Sequence, residues 1–165
     1  MKILVTYFSQ TGNTKKIAEA IFEEIKTEKE IKPLDEVENL EGYDFAFLGF
    51  PVHGFGPTKK AADFIKKHAI DKNIALFVTH AMPPDNPMLK DLLNKCQNPA
   101  IKSNLVDFYH CQGELAEKIA KLLIDSGNPQ MAEFGKMRDM TAGHPNEEEV
   151  ENARIFARDI IEKIK

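Results

Sequence analysis

Short apolar runs alternate with segments whose apolar residues recur at helical spacing over most of the chain. Four runs are rich in β-branched and aromatic residues, which predicts strands at residues 3–8, 43–50, 74–79 and 105–110. A fifth, weaker strand is predicted around residues 31–34. Because the four strong runs are almost continuously apolar, we expect their strands to be buried on both faces of a parallel sheet.

Apolar stripes at helical spacing predict helices between and after these strands. The stripes lie near residues 14–25, 61–65, 88–96, 115–123 and 150–164. The last helix has the clearest start, since Asn146 stands three residues before Glu149 in the pattern of a reciprocal capping box.

The alternation of buried strands and helices indicates a doubly wound α/β fold, in which right-handed crossovers put helices on both faces of the sheet. The 165 residues, of which 42% are hydrophobic, are enough for a single domain spanning residues 1–165. An extra helix and a polar segment occupy about residues 113–145, before the final helix. We expect this segment to pack against the domain, with a lid or a partner surface beside a ligand as the alternative.

Composition and charge narrow the function classes. The formal net charge is −4 and no cluster of Lys or Arg is long enough to follow a row of phosphates, which argues against nucleic acid as a partner. The N-terminal residues lack the layout of a signal peptide and no apolar run is long enough to span a bilayer, so we expect a cytoplasmic protein without a membrane partner. Cys96 and Cys111 fit two reduced thiols, and the histidines have no metal-ligand spacing, so we expect no metal.

A short polar turn joins the first strand to the first helix, and it has the chemistry of an anion site. Its residues are Ser9, Gln10, Thr11, Gly12, Asn13 and Thr14. Gly12 permits backbone angles that other residues avoid, and the helix that begins near Asn13 offers unpaired N–H groups to a phosphate. The turn lacks the Lys of a nucleoside-triphosphate loop and the GxGxxG pattern of a dinucleotide loop. The alternative is an ordinary capped turn, in which Ser and Thr are also common.

This turn resembles the phosphate loop of the flavodoxins, whose pattern Ser/Thr-x-Thr-Gly-x-Thr it matches at each fixed position. The segment at residues 40–49 and the five strand-like segments, in a compatible order, extend the resemblance over most of the chain. The resemblance implies a five-stranded parallel sheet with strand order 2-1-3-4-5. It also implies non-covalently bound FMN with its phosphate in this turn.

By the same resemblance, the flavin ring lies between the loops after the third and fourth strands. The first loop contributes Pro51, Val52, His53, Gly54, Phe55 and Gly56, and the second contributes Thr79, His80, Ala81 and Met82. A Gly- and Pro-rich connection with two core aromatic residues is the alternative for the first loop. The second loop departs from the flavodoxin pattern, because it has three prolines and no aromatic residue beyond His80. Cys111 is a further candidate at the flavin edge, with a buried inert thiol as the alternative.

Three functions follow as hypotheses. The leading one is an FMN-binding electron carrier that exchanges electrons with redox partner proteins, in which no residue acts as a catalytic acid or base. The second is an NAD(P)H- or quinone-dependent flavin reductase of the same fold, although no pyridine-nucleotide motif is visible. The third is a non-catalytic binding domain that has lost its affinity for flavin.

Overall fold

The computed structural model describes residues 1–165, and its centre is a twisted parallel sheet. The strands are β1 (Lys2–Tyr7), β2 (Glu28–Pro33), β3 (Phe45–His53), β4 (Gly56–Pro57), β5 (Asn73–His80) and β6 (Asn104–Gln112). The sheet order is β2-β1-β3-β5-β6, all pairs parallel, and the short β4 pairs antiparallel with the end of β3. With the parallel strands counted alone, this order is 2-1-3-4-5, so the expected fold is confirmed.

Seven α-helices follow the strands. They are α1 (Asn13–Glu24), α2 (Lys59–His68), α3 (Leu89–Gln97), α4 (Glu117–Ile124), α5 (Pro129–Lys136), α6 (Arg138–Thr141) and α7 (Glu147–Lys163), with 3-10 turns at Leu34–Glu36 and Asn98–Ala100. None of the helices combines the length and apolarity that crossing a lipid bilayer requires.

Two helices within the polar segment, α5 and α6, were absent from the sequence prediction. The segment has no continuous apolar stripe, which is why hydrophobic periodicity did not reveal them. The sequence nonetheless held a local signal for α5, because Asn128 followed by Pro129 is typical of a helix start. In the structure the Asn128 side chain accepts hydrogen bonds from the N–H groups of Gln130 and Met131.

Apolar side chains form one buried cluster on each face of the sheet. On one face α2 and α3 cover residues such as Leu48 and Leu76, and on the other α1 and α7 cover residues such as Val5 and Phe47. The central strands β1, β3 and β5 are therefore buried on both faces, as expected. The same expectation is wrong for β6, which lies at the sheet edge and is only half-buried over most of its length.

The start of α7 confirms the capping box. The Asn146 side chain accepts a hydrogen bond from the Glu149 N–H at 3.0 Å, and the Glu149 carboxylate accepts one from the Asn146 N–H at 2.7 Å. Both groups would otherwise be unpaired at the helix end, so the box fixes where α7 begins, beside α1 and β6.

We expect the substitution Asn146→Ala to lower the free energy of unfolding by about 1 kcal/mol, because it removes the side-chain acceptor of this cap. Urea denaturation measures the change. Asn94→Ala, at an exposed position inside α3, is the matched control and is expected to leave the stability unchanged or slightly higher. Equal effects of the two substitutions would contradict the prediction.

Candidate functional site

The polar turn at residues 9–14 lies at the carboxyl end of β1, where the chain reverses into α1. Gly12 adopts a left-handed conformation with φ of 94°, which a residue with a side chain rarely takes. The Ser9 hydroxyl oxygen accepts hydrogen bonds from the N–H groups of Gly12 at 3.1 Å and Lys15 at 3.3 Å. The N–H groups of Thr11, Asn13 and Thr14 donate to no acceptor within the protein. The turn therefore presents a set of free donors at the positive end of α1.

Two hydrogen bonds tie this turn to the neighbouring segments. The hydroxyl groups of Thr14 and Thr79 lie 2.8 Å apart and are buried, which links α1 to the end of β5. The Asn13 side-chain amide donates to the backbone carbonyl of Glu114 at 3.0 Å, which links α1 to the chain after β6. The turn, the end of β5 and the segment after β6 are thus held in one fixed arrangement.

A cavity of about 510 Å³ opens beside the turn, within the size range of small-molecule and cofactor sites. The sequence-predicted residues that line it are Ser9, Gln10, Thr11, Asn13, Thr14, Pro51, Val52, His53, Gly54, Phe55, Thr79, His80, Ala81 and Met82. The structure therefore brings together the three loops that the sequence analysis singled out. No Lys or Arg lines the cavity.

Three predicted residues lie outside the cavity wall. Gly12 lines a smaller cavity of about 270 Å³ on the other side of the turn. Gly56 pairs with His53 in the hairpin between β3 and β4, where it shapes the loop without facing the cavity. Cys111 is buried in the apolar cluster that α1 and α7 cover, so its placement favours the inert-thiol interpretation over the flavin edge.

The hairpin between β3 and β4 is a tight turn whose two central residues both have positive φ. Gly54 has φ of 55° and Phe55 has φ of 60°, as in a type I′ turn. Phe55 is not a glycine, so it adopts this conformation at a cost of about 1 kcal/mol or more. The strained residue faces the cavity and its ring centroid lies 6.5 Å from that of Phe134 in α5.

The far wall of the cavity comes from residues that the sequence analysis did not assign to the site. They are Leu92, Gly113, Glu114, Leu115, Ala116, Ile119, Leu123, Met131 and Phe134. Most belong to residues 113–136, so the segment whose role was left open packs beside the cavity. Gly135 permits the close approach of α5 to α4, because a Cβ there would lie 2.7 Å from the Ala120 carbonyl oxygen. The sequence held one signal for this wall: the apolar stripe of α4 follows the last predicted strand, so it had to pack against something other than a further strand.

Two histidines meet at the end of β5. His80 Nε2 lies 3.0 Å from His110 Nδ1, and His80 is 5% exposed. Burial, with a smaller contribution from the nearby His110, lowers the pKa of His80 to about 4, and burial also lowers the pKa of His110. Both rings are therefore neutral at pH 7. Burial also raises the pKa of the Cys111 thiol to about 12, so this group stays protonated.

The sequence of the chain matches the family model described as a flavodoxin domain over residues 4–158. The protein belongs to the flavodoxin family. A relative that is 33% identical over 173 aligned residues is the flavodoxin-like domain-containing protein BilS of Clostridioides difficile (strain CD3), with 99% of this chain and 98% of the relative covered.

Solved structures show that this flavodoxin shares its fold with distant relatives. Oxidised flavodoxin 2 of Bacillus cereus superposes with a TM-score of 0.62 at 20% identity, with 99% of each chain covered. A flavoprotein from Lactobacillus acidophilus NCFM, solved in complex with FMN, superposes with a TM-score of 0.52 at 23% identity over 66% of this chain and 92% of that one. These likenesses establish the doubly wound architecture.

The buried histidine makes the stability of this flavodoxin depend on pH. Because the pKa of His80 is about 4 in the folded protein and about 6.5 in an unfolded chain, its contribution is complete above pH 6.5 and falls as the pH drops toward 4. We expect His80 alone to lower the free energy of unfolding by about 2 kcal/mol between pH 7 and pH 5, as measured by urea denaturation.

The substitution His80→Gln should remove most of this loss, whatever it does to the stability at pH 7. His53→Gln is the matched control: it replaces an exposed histidine and should retain the loss of stability that His80 causes between pH 7 and pH 5. A wild-type protein that is equally stable at pH 7 and pH 5 would contradict the prediction.

Proposed function

We propose that this flavodoxin binds FMN non-covalently in the 510 Å³ cavity and carries electrons on it. The observation that carries the proposal is that free backbone N–H groups and apolar walls belong to the same cavity. One end offers the donors of Thr11, Asn13 and Thr14, and the rest is lined mostly by apolar groups. Such a cavity suits a molecule with an anionic group at one end and a flat apolar ring at the other.

The residues of the turn fit a phosphate without a cation. The free N–H groups at the start of α1 and the hydroxyl groups of Ser9 and Thr11 are donors, and the dipole of α1 adds a favourable interaction of about 0.3–2 kcal/mol. The absence of Lys and Arg from the cavity wall leaves these donors to hold the charge. Hydrogen bonds to a charged group each contribute roughly 1.5–3 kcal/mol, so a few of them give useful affinity.

The residues that would contact the ring are those of the β3–β4 hairpin and the end of β5. Phe55 and Met82 supply apolar and polarisable surface, and Phe134 from α5 closes the wall beside Phe55. When bound, FMN supplies the reversible uptake of electrons, and the protein supplies binding, orientation and exclusion of water. In this proposal the protein is a cytoplasmic carrier that exchanges electrons with redox partner proteins.

A second candidate is a flavin reductase, and the apolar wall from α4 and α5 favours it. The cavity extends beyond the three loops proposed to hold the phosphate and the ring, and this extension is lined by Ile119, Leu123 and Met131. An extended apolar wall is expected where an enzyme covers a substrate. Anaerobic mixing of the FMN-loaded protein with NADH or NADPH separates the two candidates. Rapid bleaching of the flavin absorbance supports a reductase, and an unchanged spectrum supports a carrier.

We expect the substitution Thr11→Val to weaken FMN binding about tenfold and to leave riboflavin binding unchanged, because only FMN has the phosphate that the hydroxyl group would contact. Thr11 is exposed at the cavity wall, so its loss should not affect folding. Fluorescence titration of the apoprotein with each flavin measures both affinities.

The same substitution at Thr27, which is exposed at the opposite edge of the sheet before β2, is the matched control. It should change neither affinity. Equal binding of FMN and riboflavin by the wild-type protein would overturn the assignment of the turn to a phosphate, and binding of neither flavin would overturn the proposed function.

We expect Phe134→Ala to weaken FMN and riboflavin binding by the same factor, roughly three- to tenfold, since an aromatic contact contributes roughly 0.5–1.5 kcal/mol. The effect should appear in the dissociation rate measured by stopped-flow fluorescence. Phe64→Ala, in α2 and outside the cavity wall, is the control. A loss that affected FMN alone would contradict a role in contacting the ring.

A further inference from the structure

We propose that α4 and α5 together form a lid, residues 117–136, that opens and closes over the cavity as one unit. The proposal rests on the proposed FMN-binding function for the identity of the ligand that the lid covers. The structure records the closed position, in which Phe134 of α5 reaches Phe55 of the β3–β4 hairpin with ring centroids 6.5 Å apart. A bound ligand holds the lid closed, and an empty cavity lets it open.

The two helices of the lid pack closely on each other. Ala120 is the one buried residue of α4, and Gly135 is the one buried residue of α5. A Cβ at Gly135 would lie 2.7 Å from the Ala120 carbonyl oxygen, and its other near neighbours would be Leu123 and Ile124, also of α4. The buried part of each helix therefore faces the other helix, as in a unit that can move without coming apart.

No polar interaction fastens the lid to the body of the domain. Neither a hydrogen bond nor an ion pair joins residues 117–136 to a strand or to α1, α2, α3 or α7. The terminal helix α7 differs, because its Arg154 pairs with Glu23 of α1 at 2.9 Å. The lid is held by apolar contacts such as that of Phe134, which packs against the cluster that α2 and α3 cover. Contacts of this kind can separate and re-form without breaking a hydrogen bond.

The two ends of the lid meet at a base that is tied together. The Leu115 N–H donates to the Thr141 hydroxyl oxygen at 2.8 Å, and both residues are buried. The Glu114 carboxylate pairs with Arg138 at 3.4 Å and accepts a hydrogen bond from the Gly143 N–H at 3.3 Å. The segments before α4 and after α5 are thus joined to each other, which gives the lid a base about which a hinge motion can occur.

The inner face of the lid is apolar and incompletely covered. Ile119 and Met131 line the cavity and are 46% and 37% exposed. Leu123 and Phe134 line it as well and are half-buried. A ligand between these side chains and the β3–β4 hairpin removes apolar surface from water on both sides, so its binding favours the closed position. An empty cavity provides no such gain.

Hydrogen exchange of the apoprotein, followed by mass spectrometry, tests whether the lid is a unit. We expect the amides of α4 and α5 to share one protection factor, roughly tenfold or more below that of α7, because a local opening is enough to expose them. Saturating FMN should slow exchange in the lid about tenfold. Protection equal to that of α7, unrelated protection of the two helices, or exchange that bound FMN does not slow would each overturn the lid.

The substitution Gly135→Ala loosens the lid from outside the cavity, because the new Cβ meets the Ala120 carbonyl oxygen and Gly135 is not part of the cavity wall. We expect it to raise the dissociation rates of FMN and riboflavin roughly threefold or more, since the lid covers the ring that both flavins share. Stopped-flow fluorescence measures both rates. Wild-type rates in Gly135→Ala would contradict the proposal.

Gly42→Ala is the matched control. Gly42 has φ of 81°, so the same substitution is also destabilising there, but it lies before β3 at the opposite edge of the sheet from the cavity. It should leave the dissociation of both flavins unchanged. An equal acceleration in the two variants would show a general loss of stability and would overturn the lid.

Association kinetics of the wild-type protein provide the test if Gly135→Ala does not fold. Binding that includes a movement of the lid has two steps, so the observed association rate should level off as the FMN concentration rises. A rate that stays proportional to the FMN concentration would overturn the lid.

The failure of the lid and the failure of the proposed function give different results. A protein that binds neither flavin is not the electron carrier, and the shared protection factor of α4 and α5 in the apoprotein still decides whether they open as one unit. A protein that binds FMN while α4 and α5 are protected as strongly as α7 retains the carrier and loses the lid.

Discussion

Burial of the central strands between two layers of helices is the constraint on which the site depends. Because β1, β3 and β5 are covered on both faces, nearly all of their buried side chains are apolar and the polar groups collect where the strands end. All parallel strands end at the same edge, where β1 leads into the turn at residues 9–14 and the neighbouring strands lead into the other two loops. The strand order thus determines where the cavity lies, and the residues of the loops determine what lines it.

The site is built with very little formal charge. Its wall contains the donors at the start of α1, the neutral His80 and mostly apolar groups, with Glu114 as its one carboxylate and no Lys or Arg. In the proposed function, the dipole and N–H groups at the start of α1 hold the anion, and the rest of the cavity stays free of fixed positive charge.

The parts of the site that could be predicted from the sequence are those with short, local signals. The turn is recognisable in six residues, and Gly12 adopts the left-handed conformation that its pattern implies. The wall from α4 and α5 was missed because Met131 and Phe134 are isolated apolar residues in a polar segment, and only tertiary packing brings them to the cavity. Cys111 lies in the apolar cluster that α1 and α7 cover, which agrees with the alternative of a buried thiol that the sequence left open.

The hydrogen bonds of the turn determine how binding at one end of the cavity affects the rest. Thr14 connects to Thr79 at 2.8 Å and Asn13 connects to Glu114 at 3.0 Å, so the turn is attached both to the end of β5 and to the segment that carries the far wall. A ligand that orders the turn therefore meets the end of β5 already in position, and little conformational freedom of this wall is left to lose on binding. The same attachment means that displacement of α4 and α5 would disturb the Asn13 contact, so the apolar wall and the turn at residues 9–14 are coupled through the chain before α4.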